Sequence, residues 1–140
     1  MNKNLFEYTL RLGDTSLILS QRLGEWCGHG PVLEEDIALT NIALDLLGQA
    51  KAFLAYAGEI EGKGRSEDSL AFHRDANQFR NMLLTEQPNV DFGCTIVRQL
   101  FVSAWQHYLY SELTQSTDKN ISALAVKSLK EVNYHLRYAS

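Results

Sequence analysis

Apolar residues recur every three to four positions along most of the chain, the spacing of a helix with one buried face. The first helix is expected over residues 5–27, where Leu5, Leu12, Leu19 and Trp26 stand seven apart, with Tyr8 and Leu23 beside them. Gly28-His29-Gly30-Pro31 ends it, and Glu34, Glu35 and Asp36 put negative charge where the dipole of the next helix favours it. That second helix, over 33–60, is rich in Ala and Leu and closes at Gly58 and Gly62-Lys63-Gly64. A connection over 63–90 follows, with a short helix near 68–80 whose Leu70, His73, Phe79, Met82 and Leu83 line one side. The third helix, over 91–115, carries Phe92, Ile96, Leu100, Phe101, Trp105, Tyr108 and Leu109 on its expected apolar side. The fourth, over 121–140, has Leu129, Val132 and Leu136 on one stripe. Pro31 and Pro88 both fall between helices, and no strand pattern competes.

Helix pair, long crossover, helix pair is the layout of a ferritin-like bundle. The fold expected is therefore all-α, a single ferritin-like helical domain over residues 1–140. The second helix is apolar on almost every side, which marks burial among several neighbours. Leu10, Leu17 and Ile18 lie off the main stripe of the first helix. Such surplus predicts exposed apolar patches and self-association when the chain is alone. The last pattern is still helical at Tyr138-Ala139-Ser140, with no Gly or Pro stop, so the chain reads as the N-terminal part of a longer one, truncated at its C-terminus.

Composition narrows the function. The net charge is −4 with scattered basic residues, so no basic field draws nucleic acid or an anionic membrane. The most apolar run, 37–57, is interrupted by Asn41, Asp45, Gln49 and Lys51, which argues for a bundle helix over a membrane span. The N-terminus lacks the apolar core of a signal peptide, and Cys27 and Cys94 read as reduced, semi-buried thiols of a cytoplasmic protein. Neither cysteine sits in a C-x-x-C pair, the glycines lack P-loop spacing, and no Gly-x-Ser-x-Gly elbow holds Ser16, Ser20 or Ser103.

One constellation bears on chemistry. Asn41, Asp45 and Gln49 fall at i, i+4 and i+8 and form one polar stripe, read as buried. A di-iron carboxylate site needs a Glu from each of two helices and Glu-x-x-His from the other two. Here the second helix has Asp45-Leu46-Leu47-Gly48, with a shortened acid and no histidine. The fourth has Glu131-Val132-Asn133-Tyr134, with Tyr in the histidine position and His135 one residue on, at i+4 from Glu131. The third helix has no acid between Asp91 and Glu112, and only Asp14 serves on the first. Asp14, Asn41, Asp45, Gly48, Glu131 and Tyr134 are thus the expected positions of a vestigial metal site that holds no metal. His29 and His73 read as surface groups; Arg11, Arg22 and Arg98 lie on helices read as largely buried and are expected to pair with Asp14, Glu25 or another chain rather than to bind a substrate phosphate.

Longer runs carry a resemblance. Tyr8-Thr9-Leu10-Arg11-Leu12-Gly13-Asp14 resembles the opening of the PaaC family, the C subunit of the ring 1,2-phenylacetyl-CoA epoxidase. So do residues 19–29, 42–50, Glu86-Gln87-Pro88-Asn89, and Lys130-Glu131 with Tyr134-His135-Leu136-Arg137. The resemblance implies a non-catalytic structural subunit of a multicomponent oxygenase in aerobic phenylacetate degradation. It implies a catalytic A subunit of similar fold holding the di-iron centre, other complex subunits as partners, and a hetero-oligomer in the cytoplasm. It implies no cofactor and no catalytic residue in this chain. Two other readings stay open: a di-iron oxidase or oxygenase active in its own right, and a helical interaction module unrelated to oxygenation.

Overall fold

A computed structural model describes residues 2–140, and among them there are five α-helices, two short 3-10 turns and no strand. The helices are α1 (Lys3–Gly24), α2 (Leu33–Glu61), α3 (Glu67–Phe72), α4 (Phe92–Leu113) and α5 (Lys119–Ala139). The turns, Ala76–Gln78 and Leu83–Glu86, lie in the crossover after α3. The four long helices match the sequence reading to within a few residues at each end, and the crossover helix is shorter, stopping at Phe72. The chain divides into two compact units, Met1–Glu86 and Gln87–Ser140.

In the first unit α1 and α2 pack along their length and the crossover folds onto α1. Asn2 caps α1 by accepting from Leu5 N–H at 3.1 Å. Asp36 does more than favour the helix dipole: its carboxylate accepts from Gly28 N–H at 2.9 Å and ties the α1–α2 turn together. Gly62 ends α2 in the left-handed conformation at φ 69°. Gly58, expected to help close that helix, instead lies inside it. A Cβ there would stand 2.3 Å from the carbonyl oxygen of Arg65, so glycine is what lets the outgoing chain pass close to α2.

The core of this unit joins Phe6, Leu10 and Leu17 of α1 to Ala50, Leu54 and Ala57 of α2 and Leu70 of α3. Each of the larger side chains contributes about 1.5–3 kcal/mol by leaving water. Leu10 and Leu17, expected as exposed surplus, are buried because the crossover supplies them with a second packing surface. The surplus of α2 has no such cover: Leu33, Ile37, Leu44 and Leu47 are exposed along one face. The expected all-round burial of α2 is therefore wrong on that face. Among the described residues α2 alone is long and apolar enough to cross a membrane, but it packs against α1 and carries Asn41, Asp45, Gln49 and Lys51.

In the second unit α4 and α5 form an antiparallel hairpin closed by a short turn. Asp91 caps α4 through Cys94 N–H at 2.7 Å, and Asp118 caps α5 through Asn120 and Ile121 N–H, both at 3.0 Å. Across the hairpin Ser122 Oγ donates to the Thr114 carbonyl at 2.6 Å, and His107 Nδ1 meets Asn133 Oδ1 at 2.6 Å. The buried stripe of α5 is Ile121, Ala125, Ser128, Val132, His135 and Ala139. Of the expected stripe only Val132 lies at its centre; Leu129 and Leu136 flank it half-buried.

The larger correction is α4. Its buried face is Thr95, Arg98, Gln99, Val102, Ser103, Gln106 and Tyr110. Phe101, Trp105 and Tyr108, expected inside, are exposed and align with exposed Val97 on the opposite side. Hydrophobicity alone chose the wrong face, because polar residues fill the inner one.

Candidate functional site

Asp14 lies mid-helix in α1 and is fully buried. Its carboxylate accepts from both terminal nitrogens of Arg74, Nη1 at 3.1 Å and Nη2 closer still, and from Arg80 N–H at 2.8 Å. Arg74 is also buried; it donates to the carbonyls of Leu70 and Gln78 and lies 4.3 Å over the Phe79 ring. Beside Asp14, Thr15 Oγ1 accepts from Met82 N–H at 3.2 Å. Two turns along α1, Arg22 donates to the Glu86 carbonyl at 2.8 Å and pairs with Glu25. One face of α1 thus anchors the crossover between Arg74 and Glu86, beside a groove of about 400 Å³ that includes Ile18, Arg22, Phe79 and Asn81. The partner of Asp14 comes from the crossover, where no periodicity rule pointed. Of the three arginines expected to pair, Arg22 does pair with Glu25, Arg98 is buried and donates to the Gln87 carbonyl at 3.0 Å, and Arg11 is exposed, while Asp14 takes its partner from elsewhere.

The α2 stripe is not uniformly buried. Asn41 is exposed, Asp45 half-buried and Gln49 buried. Four helical residues turn about 400°, so each i, i+4 step drifts about 40° and carries the row from the surface inward. Gly48 is exposed, and a Cβ there would meet nothing within 4 Å.

On α5, Glu131 is half-buried and Tyr134 exposed. The neighbouring His135 is fully buried, about 100° further round the helix, with its ring edge-on to that of Tyr134. On α4 the buried amides Gln99 and Gln106, which acid-and-histidine spacing did not flag, stand seven residues apart on the inner face.

Both cysteines are exposed, which corrects the half-buried reading. The Cys94 thiol is pushed up by Asp91 beside it, and the Asp91 carboxyl is held below its usual range by Cys94. Glu61 is likewise lowered, by a charged hydrogen bond from Arg65 Nε at 2.7 Å. His29 and His73 are exposed, as read. Among the described residues no three His, Cys, Asp or Glu side chains come together as a metal-holding group.

A helix pair, a long crossover and a second helix pair make this an all-α chain consistent with a ferritin-like helical bundle. The family model for the phenylacetic acid catabolic proteins PaaA and PaaC matches residues 1–140, and the chain belongs to that family. It is 58% identical over 135 residues to the C subunit of 1,2-phenylacetyl-CoA epoxidase of Escherichia coli (strain K12). That match covers 96% of this chain and 54% of the relative, so the chain spans about half the length of the curated relative it matches.

Proposed function

We propose that this chain acts in aerobic phenylacetate degradation as a structural, non-catalytic component of a phenylacetyl-CoA epoxidase, beside a homologous di-iron subunit. The observation that carries the reading is the 58% identity to a protein named as the C subunit of that enzyme. The donor set supports the non-catalytic half. The family's metal site asks for inward acids and two histidines. Here Asp14 is enclosed by Arg74 and Arg80 N–H, Gly48 has no side chain, and Tyr134 points to solvent. A cation beside Asp14 would have to displace a buried guanidinium. The residues do not fit a di-iron centre, and no catalytic step runs through them. Asp14, Asn41, Asp45, Gly48, Glu131 and Tyr134 are on this reading the positions of a lost site.

The complex is a cytoplasmic hetero-oligomer. The exposed rows Leu33, Ile37, Leu44, Leu47 on α2 and Val97, Phe101, Trp105, Tyr108 on α4 are the surfaces offered to the di-iron subunit and its companions. Alone, the same rows drive self-association.

Co-expression with the di-iron subunit, followed by mass and metal analysis, tests the proposal. The two chains are expected to co-purify, with iron confined to the partner and epoxidation nearly unchanged by Asp45→Ala. Two irons per copy of this chain, with an activity that Asp45→Ala abolishes, would overturn it.

A further inference from the structure

The inner face of α4 carries polar groups that the protein itself does not satisfy. Gln99, Ser103 and Gln106 are all fully buried. Gln99 Nε2 donates to Ser103 Oγ at 2.6 Å, which leaves Gln99 Oε1 without a protein partner. Both amide atoms of Gln106, Oε1 and Nε2, also lack one. A buried amide left this way bears the full cost of its lost hydration, and native proteins rarely leave one so. Two such residues on one helix face are a built feature of the hairpin, to which α5 adds buried Ser128 and His135.

We propose that this row is a binding site for ordered water, a small internal cluster hydrogen-bonded to Gln106 and to Gln99 Oε1. The chemistry selects the ligand. Gln106 offers two N–H donors and a carbonyl acceptor, while Gln99 has only its acceptor left. An anion would satisfy the donors and face two carbonyl oxygens. A cation would satisfy the oxygens and face the N–H groups. A neutral molecule that both donates and accepts meets all of them, and water is the smallest. A buried water typically makes about three hydrogen bonds, a number these groups can supply. Gln99 and Gln106 stand seven residues apart on one face of α4, about two turns, with Ser103 between them.

The test is a crystal structure of the chain at a resolution that shows ordered solvent, paired with water-exchange NMR on the glutamine side-chain amides. Density about 2.7–3.2 Å from Gln106 Nε2 and Oε1 and from Gln99 Oε1 is expected. The Gln106 NH₂ resonances should also show cross-peaks to long-lived water. Gln106→Met should lose the waters at that residue and keep its helical circular-dichroism spectrum. The inference is overturned if the amides turn out dry, if a protein group pairs with them, or if an ion sits there. Should Gln106→Met fail to fold, the wild-type exchange spectrum decides alone, and missing water cross-peaks sink the proposal.

Discussion

Asp14 in α1 and Gln106 in α4 are both fully buried polar side chains, placed mid-helix where a ferritin-like bundle would turn its functional groups inward. The first unit satisfies its group: the Arg74 guanidinium and the Arg80 N–H donate to Asp14, and Arg74 is itself stacked over Phe79. The second unit leaves the amide of Gln106 with no protein partner. A carboxylate is too costly to bury without a countercharge, so its partner had to be built from the crossover. A neutral amide is less costly, and water suffices. The same type of inward polar position thus becomes a structural anchor in one hairpin and a hydrated interior in the other.

The hardest test of that contrast is removal of one partner from the closed pair. Asp14→Ala or Arg74→Met should each cost about 3–5 kcal/mol, because either leaves an uncompensated buried charge. The double variant Asp14→Leu, Arg74→Met should recover most of the loss, and urea denaturation of the four proteins measures the coupling. Single-variant costs below about 1 kcal/mol would show that the crossover anchor is solvated and that the two units do not differ.

Gln106→Met probes the other side and should cost about 1 kcal/mol, the net worth of hydrogen bonds to bound water. A clear gain in stability instead would mean that the amide was never satisfied, by protein or by water.

The helices were legible from periodicity, and the family from long runs such as residues 19–29, because both signals are local. The faces of α4 were not. The inner residues Gln99, Ser103 and Gln106 are polar, while Phe101 and Tyr108 lie outside, so a rule that sends apolar groups inward fails there. The Asp14–Arg74 pair was hidden for a different reason: it joins residues 60 positions apart through an irregular segment. The α2 row at positions 41, 45 and 49 was visible as a pattern, yet its burial was misjudged because a straight helix carries such a row around its axis. Gly58, read as a stop, is a contact glycine that shows only once Arg65 is seen to pass it.

The outer face of α4 yields a smaller effect on stability. Phe101→Lys and Tyr108→Glu should each change folding free energy by no more than about 0.5 kcal/mol, since both side chains are exposed. They should nonetheless shift the chain toward monomer in light scattering. A loss of several kcal/mol would mean that these rings are packed in the free chain and that α4 is not inverted.

An effect confined to acid pH comes from a second carboxylate–arginine pair in the first unit, which differs from Asp14–Arg74 in one respect. Glu61 is buried, but the Arg65 side chain that holds it is 39% exposed, so solvent screens the pair. The hydrogen bond from Arg65 still lowers the Glu61 carboxyl below its reference of 4.5. A carboxyl with a depressed folded pKa stabilises fully above its unfolded pKa and loses that contribution as pH falls through the folded value. Parent minus Glu61→Gln should therefore be a constant difference, below about 1 kcal/mol, from neutral pH down to about pH 5.5. It should shrink below about pH 4.5 as the carboxyl protonates in the unfolded and then the folded chain. Urea midpoints across that range measure it. A difference that grew toward low pH would have the wrong sign for a carboxyl held ionised by arginine, and would mean that Arg65 is not its partner in solution.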